Sequence, residues 1–150
     1  MAALRGCDSP FDIARHGAAL RRRGVDFVMR RYSRDPACNL GAREARALCG
    51  AGLCIGALWD GGAGLDRLPR RQGLLDGAQA QRLARAAGQP PGTAIYFGMS
   101  EQAARADLDG VVRNYLIGGG WRWAAPSATA SACARARPGA AGWSTADWRA

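Results

Sequence analysis

The sequence predicts an α/β fold of about four strand-and-helix units, and three features predict it. Short runs rich in β-branched and aromatic residues alternate with longer segments of helical spacing, glycines punctuate the ends of the helical segments, and the strand runs are nearly continuous in apolar residues. Such runs belong to a parallel sheet covered by helices, because a short strand-helix-strand crossover of one hand returns the chain to a neighbouring parallel position. Doubly wound sheets and (β/α)8 barrels share this grammar. A whole barrel takes about 250 residues, so a chain of 150 residues has room for a partial (β/α)8 TIM barrel, roughly its first half.

The first unit opens with a strand segment within Ala3 to Asp8. Ser9-Pro10-Phe11-Asp12 then reads as a helix start, with Ser9 as the cap, Pro10 at the first helical position and Asp12 as a short capping-box carboxylate. Ile13, Gly17 and Leu20 recur at helical spacing until Gly24 stops the helix. The second unit has a strand over Val25 to Arg31, a polar loop from Ser33 to Leu40, and a helix over Arg43 to Ala51 that ends at Gly52. The third has a strand over Leu53 to Trp59, a glycine-rich loop, and a long helix around Gln72 to Ala87 ended by Gly88. Its apolar side is expected to carry Leu74, Leu75, Ala78 and Leu83. The fourth follows the turn Gln89-Pro90-Pro91-Gly92. Ala94 to Phe97 form its strand, with Tyr96 and Phe97 expected in the core, and Asp107 to Leu116 form a helix burying Leu108, Val111, Val112 and Tyr115.

From Gly118 onward the composition changes. The 33 residues to Ala150 hold no Val, Ile, Leu, Phe, Met or Tyr, yet carry four of the five Trp residues. The expected organisation is therefore an incomplete (β/α) domain over residues 1–117 and an irregular tail over 118–150. A tail read from a shifted frame is the sharper alternative.

Composition excludes several classes. With 48% hydrophobic and 22% charged residues the chain is neither wholly disordered nor a coiled coil. No apolar run approaches the roughly 20 residues of a membrane helix, and the N-terminus lacks the order of a secretory signal, which makes the cytoplasm the default location. The net charge of +9 comes from 21 basic residues, all Arg, against 12 acidic ones. The arginines are scattered, apart from Arg21-Arg22-Arg23 and Arg70-Arg71, and no aromatic residues interleave with them. A solvated helix face is expected rather than specific nucleic-acid binding.

Five cysteines form no CxxC pair, their odd number argues against a closed disulfide framework, and His16 is the only histidine, so small buried thiols and no metal site are expected. Cys7 has no base and orienting group to make it a nucleophile. The stretches Gly61-Gly62-Ala63-Gly64 and Gly118-Gly119-Gly120 lack both the Lys-Ser/Thr ending of a phosphate loop and dinucleotide-site spacing, so no cofactor is expected.

Three segments, Gly6-Cys7-Asp8-Ser9-Pro10, Gly24 to Pro36 with its core Val25-Asp26-Phe27-Val28-Met29-Arg30-Arg31-Tyr32, and Gly88 to Phe97, together resemble the bacterial glycoside-hydrolase-like domain of unknown function. The similarity is collinear over about residues 5 to 117. It implies a TIM-barrel-type domain akin to lysozyme-like muramidases, with polysaccharide or peptidoglycan as substrate and a cell-wall or secreted location. Asp8 matches the family's early aspartate, and Arg31 and Tyr32 match its strand-end arginine and tyrosine. The family follows its Ile-Tyr-Phe run with a small residue, an apolar residue and an aspartate, whereas here Ser100 stands at that acid.

Glycoside cleavage needs two carboxyl groups at roughly 5 to 9.5 Å, and in a barrel they sit at the C-terminal strand ends. That rule gathers Asp8, Arg31, Tyr32, Trp59, Asp60 and Glu101 around one mouth. Asp8 is the catalytic candidate, or alternatively a helix cap. Glu101, next to the missing acid, is its partner, or alternatively an exposed loop acid. Arg31 and Tyr32 are candidate substrate contacts; the arginine would orient a carboxylate or form a structural ion pair with Asp8 or Asp35. Trp59 beside Asp60 reads as a sugar-stacking aromatic or as core. The expected function is a glycoside-hydrolase-like domain, weak or inactive because the fourth-strand acid is replaced. The alternatives are a noncatalytic carbohydrate-binding module and a truncated product, whose open sheet edges a homodimer would cover.

Overall fold

The computed structural model describes residues 3–61, 69–98 and 108–118. Four parallel strands, β1 (Gly6–Asp8), β2 (Phe27–Ser33), β3 (Cys54–Asp60) and β4 (Ile95–Phe97), lie side by side in chain order. Helices α1 (Gly17–Arg22, led in by a 3-10 turn at Ala14–His16), α2 (Ala42–Gly50) and α3 (Arg70–Ala87) join them. A π-helical turn (Leu108–Val112) running into α4 (Arg113–Gly118) follows β4. The sequence-based α/β assignment thus holds, as a four-stranded parallel sheet with helices.

The register decides which side chains share a face. Cys7 pairs with Val28, Val28 with Ile55, Tyr32 with Trp59, and Trp59 with Phe97. All of these belong to the core, together with Ile13 and Leu20 near α1, Ala45 and Leu48 of α2, and Ala80, Ala84 and Ala87 of α3. The helices therefore cover one face of the sheet. Alternation turns the other set, Asp8, Phe27, Met29, Arg31, Leu58, Asp60 and Tyr96, to the opposite face. That face lies flat in its lower part: the Phe27 ring lies over Gly6 and the Met29 thioether over Gly56, where a Cβ would collide with each.

Several elements depart from expectation. The first helix starts after Asp12 rather than at Ser9. Asp12 Oδ1 accepts from Ala14 N at 2.8 Å, and Glu44 Oε1 from Ile13 N at 3.0 Å, while Ser9 Oγ serves a local turn at Phe11. In α3 the buried stripe is Gly73, Asp76, Gly77, Ala80, Ala84 and Ala87, and Leu74 and Leu75 are exposed. Close backbone approach outranks side-chain hydropathy here, since a Cβ on Gly73 would run into the Tyr115 carbonyl of α4. The helix ends as expected at Gly88, whose φ of 80° is left-handed. Tyr96 is not core but 45% exposed, because β4 turns it to the face opposite the described helices, while Phe97 packs on Trp59 with ring centroids 6.3 Å apart. Val111 is exposed as well, and Val112 and Tyr115 make the contact expected of that segment.

Cys7, Cys38 and Cys49 are free thiols, whereas Cys54 is disulfide-bonded, which corrects the expectation of thiols alone. Among the described residues no helix is long and apolar enough to cross a membrane.

Candidate functional site

Parallel strands end at the same rim, so residues from distant parts of the chain meet there. Arg31, third from the C-terminal end of β2, reaches both neighbours: Nη2 donates to Asp8 Oδ2 of β1 at 2.8 Å and Nη1 to Asp60 Oδ2 of β3 at 2.9 Å. Two carboxylates from separate strands thus flank one planar guanidinium. The hydrogen bond to Asp8, reinforced by Asp60, holds Arg31 above its usual pKa against the opposing effect of partial burial. Among the described residues, the buried Arg31 Nε finds no hydrogen-bond acceptor. Both carboxylates remain partly open to solvent.

Beneath this rim, on the helix-covered side, lies an ion pair that sequence reasoning missed. Arg30 is fully buried and forms a bidentate pair with Glu44 of α2, Nε to Oε1 at 2.7 Å and Nη2 to Oε2 at 2.9 Å. Its Nη1 also donates to the carbonyl of Ser9 at 2.7 Å. Because Ser9 follows Asp8 directly, the pair fixes the chain at the end of β1, just after Asp8. The signal was present in the sequence: Arg30 alternates with Val28 and Tyr32, so a core face for those two puts a charge inside that must find a partner.

A second buried carboxylate anchors the chain just after β2 to the helices. Asp76 Oδ1 accepts from Arg34 Nη2 at 2.7 Å and from Gln72 Nε2 at 2.8 Å, and its Oδ2 accepts from the Tyr115 hydroxyl at 2.7 Å. Burial, followed by this hydrogen bond, pushes the Tyr115 phenol far above its usual pKa. Asp76 has no vacant role at the rim.

The expected site residues fall into three groups. Asp8, Arg31 and Asp60 come together on the face opposite the described helices. Tyr32 and Trp59 lie on the opposite face and are fully buried. Tyr32 donates to Gln89 Oε1 at 2.9 Å, and Trp59 is 1% exposed. Glu101 lies outside the described residues, as do Ser100, Gly62, Gly64 and the segment from 119 onward. Arg31 pairs with Asp8 and Asp60 rather than Asp35, whose Oδ1 instead accepts from Ala37 N at 2.9 Å. Cys7 faces the core, and burial with the nearby Asp8 raises its thiol pKa, away from a thiolate nucleophile.

The profile of the Rv2525c-like, glycoside hydrolase-like domain matches residues 18–134. No curated protein matches the chain. Among solved structures it is similar to two crystal structures of the Mycobacterium tuberculosis Tat-secreted protein Rv2525c. One is in complex with HEPES (21% identity, TM-score 0.63, 75% of this chain and 60% of that one). The other is in complex with L-tartrate (22% identity, TM-score 0.64, 75% and 59%). The chain therefore spans about 60% of the length of those structures and shares their fold over that part.

Proposed function

The chain belongs to the Rv2525c-like, glycoside hydrolase-like domain family, and on that premise we propose that it is a glycan-directed domain working through the rim formed by Asp8, Arg31 and Asp60. The observation that carries this reading is the bridging of two strand-end carboxylates by one guanidinium. Two carboxylates flanking one guanidinium are held within about 8 Å of each other, below the upper end of the span at which paired carboxyl groups work on a glycosidic bond. The same arrangement offers acceptors and donors side by side, which suits neighbouring sugar hydroxyls.

Chain-order strands with helices on one face are what the first half of a (β/α)8 barrel requires, and a barrel would place this rim at its catalytic mouth. An ion-paired Asp8 is an acceptor: it can take a proton from water or hold a hydroxyl, and the proton donor must come from elsewhere. We assign that role to Glu101, because Ser100 occupies the position of the family's aspartate and a hydroxyl is no general acid at neutral pH. Turnover of cell-wall or other polysaccharide is accordingly weak, and glycan binding persists where turnover is lost. Export is part of the reading, since the similar mycobacterial protein is Tat-secreted and a disulfide at Cys54 accords with an oxidising compartment.

The test is release of reducing ends from solubilised peptidoglycan and from neutral oligosaccharides by the full chain and by Asp8→Asn. Slow release that disappears in Asp8→Asn supports an enzyme. Binding without release supports the noncatalytic carbohydrate-binding module, and absence of both rejects the proposal.

A further inference from the structure

The outward side of α3 carries charge of one sign. Arg71, Leu74, Leu75, Ala78, Arg82 and Arg85 are exposed there, at helical spacing opposite the buried stripe that runs from Gly73 to Ala87. Leu74 and Leu75 are 59% and 54% exposed, with Arg71 about one turn before them and Arg82 and Arg85 about two to three turns after. Among the described residues none of these three arginines has an acidic partner, and Arg82 reaches only Gln79, at 3.2 Å. The one acid of α3, Asp76, is buried and held by Arg34. Elsewhere Asp8, Asp26, Glu44 and Asp60 are each engaged by an arginine, and Asp12 and Asp35 by backbone amides. A second copy of the chain therefore has no free acid among these to set against α3.

We propose that this face of α3 docks the protein on an anionic phospholipid surface, with the arginines on headgroup phosphates and Leu74 and Leu75 at the boundary between headgroups and acyl chains. Charge complementarity selects the partner. A guanidinium meets a phosphate at two points, and the run from Arg71 to Arg85 extends about 21 Å along the helix axis, enough for several headgroups. A hydrophilic polyanion would engage the arginines equally well, but it would leave two leucines in water between them. A bilayer takes them out of water while the cations stay at the surface, which is how a helix lying in the interface holds on. The helix lies on the bilayer and does not span it, since no described helix is long and apolar enough to cross one. Asp8, Arg31 and Asp60 are on the other face of the sheet and turn away from the docked side. The proposal stands independently of the glycan reading.

The experiment is cosedimentation of the full chain with vesicles of phosphatidylcholine alone and of phosphatidylcholine with one-third phosphatidylglycerol. Three double variants accompany wild type: Leu74→Gln with Leu75→Gln, Arg82→Gln with Arg85→Gln, and, as a control on α1, Arg22→Gln with Arg23→Gln. Wild type should bind the anionic vesicles at least tenfold more tightly than the neutral ones. Each α3 pair should weaken that binding at least tenfold, whereas the α1 pair, which removes the same charge, should change it less than threefold. Should the leucine pair lose its cooperative melt, Leu74→Gln alone is expected to weaken binding at least threefold. Full binding by the leucine pair alongside a loss in the Arg82 and Arg85 pair overturns the lipid assignment and makes the face a site for soluble polyanions. An equal loss in the α1 control overturns the assignment to α3, and equal binding of wild type to both vesicles, or to neither, overturns the proposal.

Discussion

Arg30 and Glu44 meet in a buried, two-point ion pair, with nitrogen-to-oxygen distances of 2.7 and 2.9 Å, directly below the rim that carries Asp8. Removing one partner leaves an uncompensated charge in the core. Arg30→Met or Glu44→Leu alone is expected to cost about 3–5 kcal/mol of stability. The double variant should recover much of that loss, because apolar groups of similar volume replace the charges together. Urea melts of the three variants check this, and a double variant no better than the worse single one contradicts it.

Asp8 should behave in the opposite manner. Its carboxylate is half exposed, and a solvent-screened ion pair contributes about 1 kcal/mol or less. Asp8→Asn is therefore expected to melt close to wild type while losing whatever glycan turnover the chain has. A large drop in melting temperature would make Asp8 a structural residue instead.

Gly73 is a third test, because propensity and packing predict opposite signs. In an exposed helix interior Gly→Ala stabilises by about 1 kcal/mol. Here the new methyl would enter the Tyr115 carbonyl of α4, so Gly73→Ala should destabilise by about 1–3 kcal/mol. Its denaturation midpoint relative to wild type reads the sign directly.

Tyr32 and Tyr115 govern the alkaline limit. Burial raises both phenols well above their ordinary pKa, for Tyr115 with Asp76 adding to the effect. In the unfolded chain each ionises near pH 10. The stability they contribute is thus fully present below pH 10 and is lost as pH rises from there toward the folded values. Absorbance at 295 nm should show two of the three tyrosines ionising only together with loss of the circular-dichroism signal. Tyr32→Phe, which removes the hydroxyl bonded to Gln89, should cost about 1 kcal/mol and leave one such tyrosine.

Much of the fold was legible because strands and helices in this chain differ in period and in their glycine stops: Gly24, Gly52 and Gly88 each close a helix as expected. What the sequence hid is which face each strand residue takes. Parallel strands are apolar on both sides, so Leu58 and Trp59 look alike until helices choose a side. That is why Trp59 read as a sugar-stacking aromatic or as core and Tyr96 as core, while the ladder buries Trp59 and exposes Tyr96. Asp8, Arg31 and Asp60 were legible because charged residues at strand ends gather at one rim in any parallel sheet. Leu74 and Leu75 misled because hydropathy does not register the backbone contact that Gly73 allows.

The most direct test of the account is a map of amide shifts in a 15N-labelled full chain titrated with the N-acetylglucosamine tetramer. The account predicts that the largest changes cluster at Asp8, Arg31 and Asp60. Changes confined to the arginine-bearing helices, or none at saturating sugar, would contradict it.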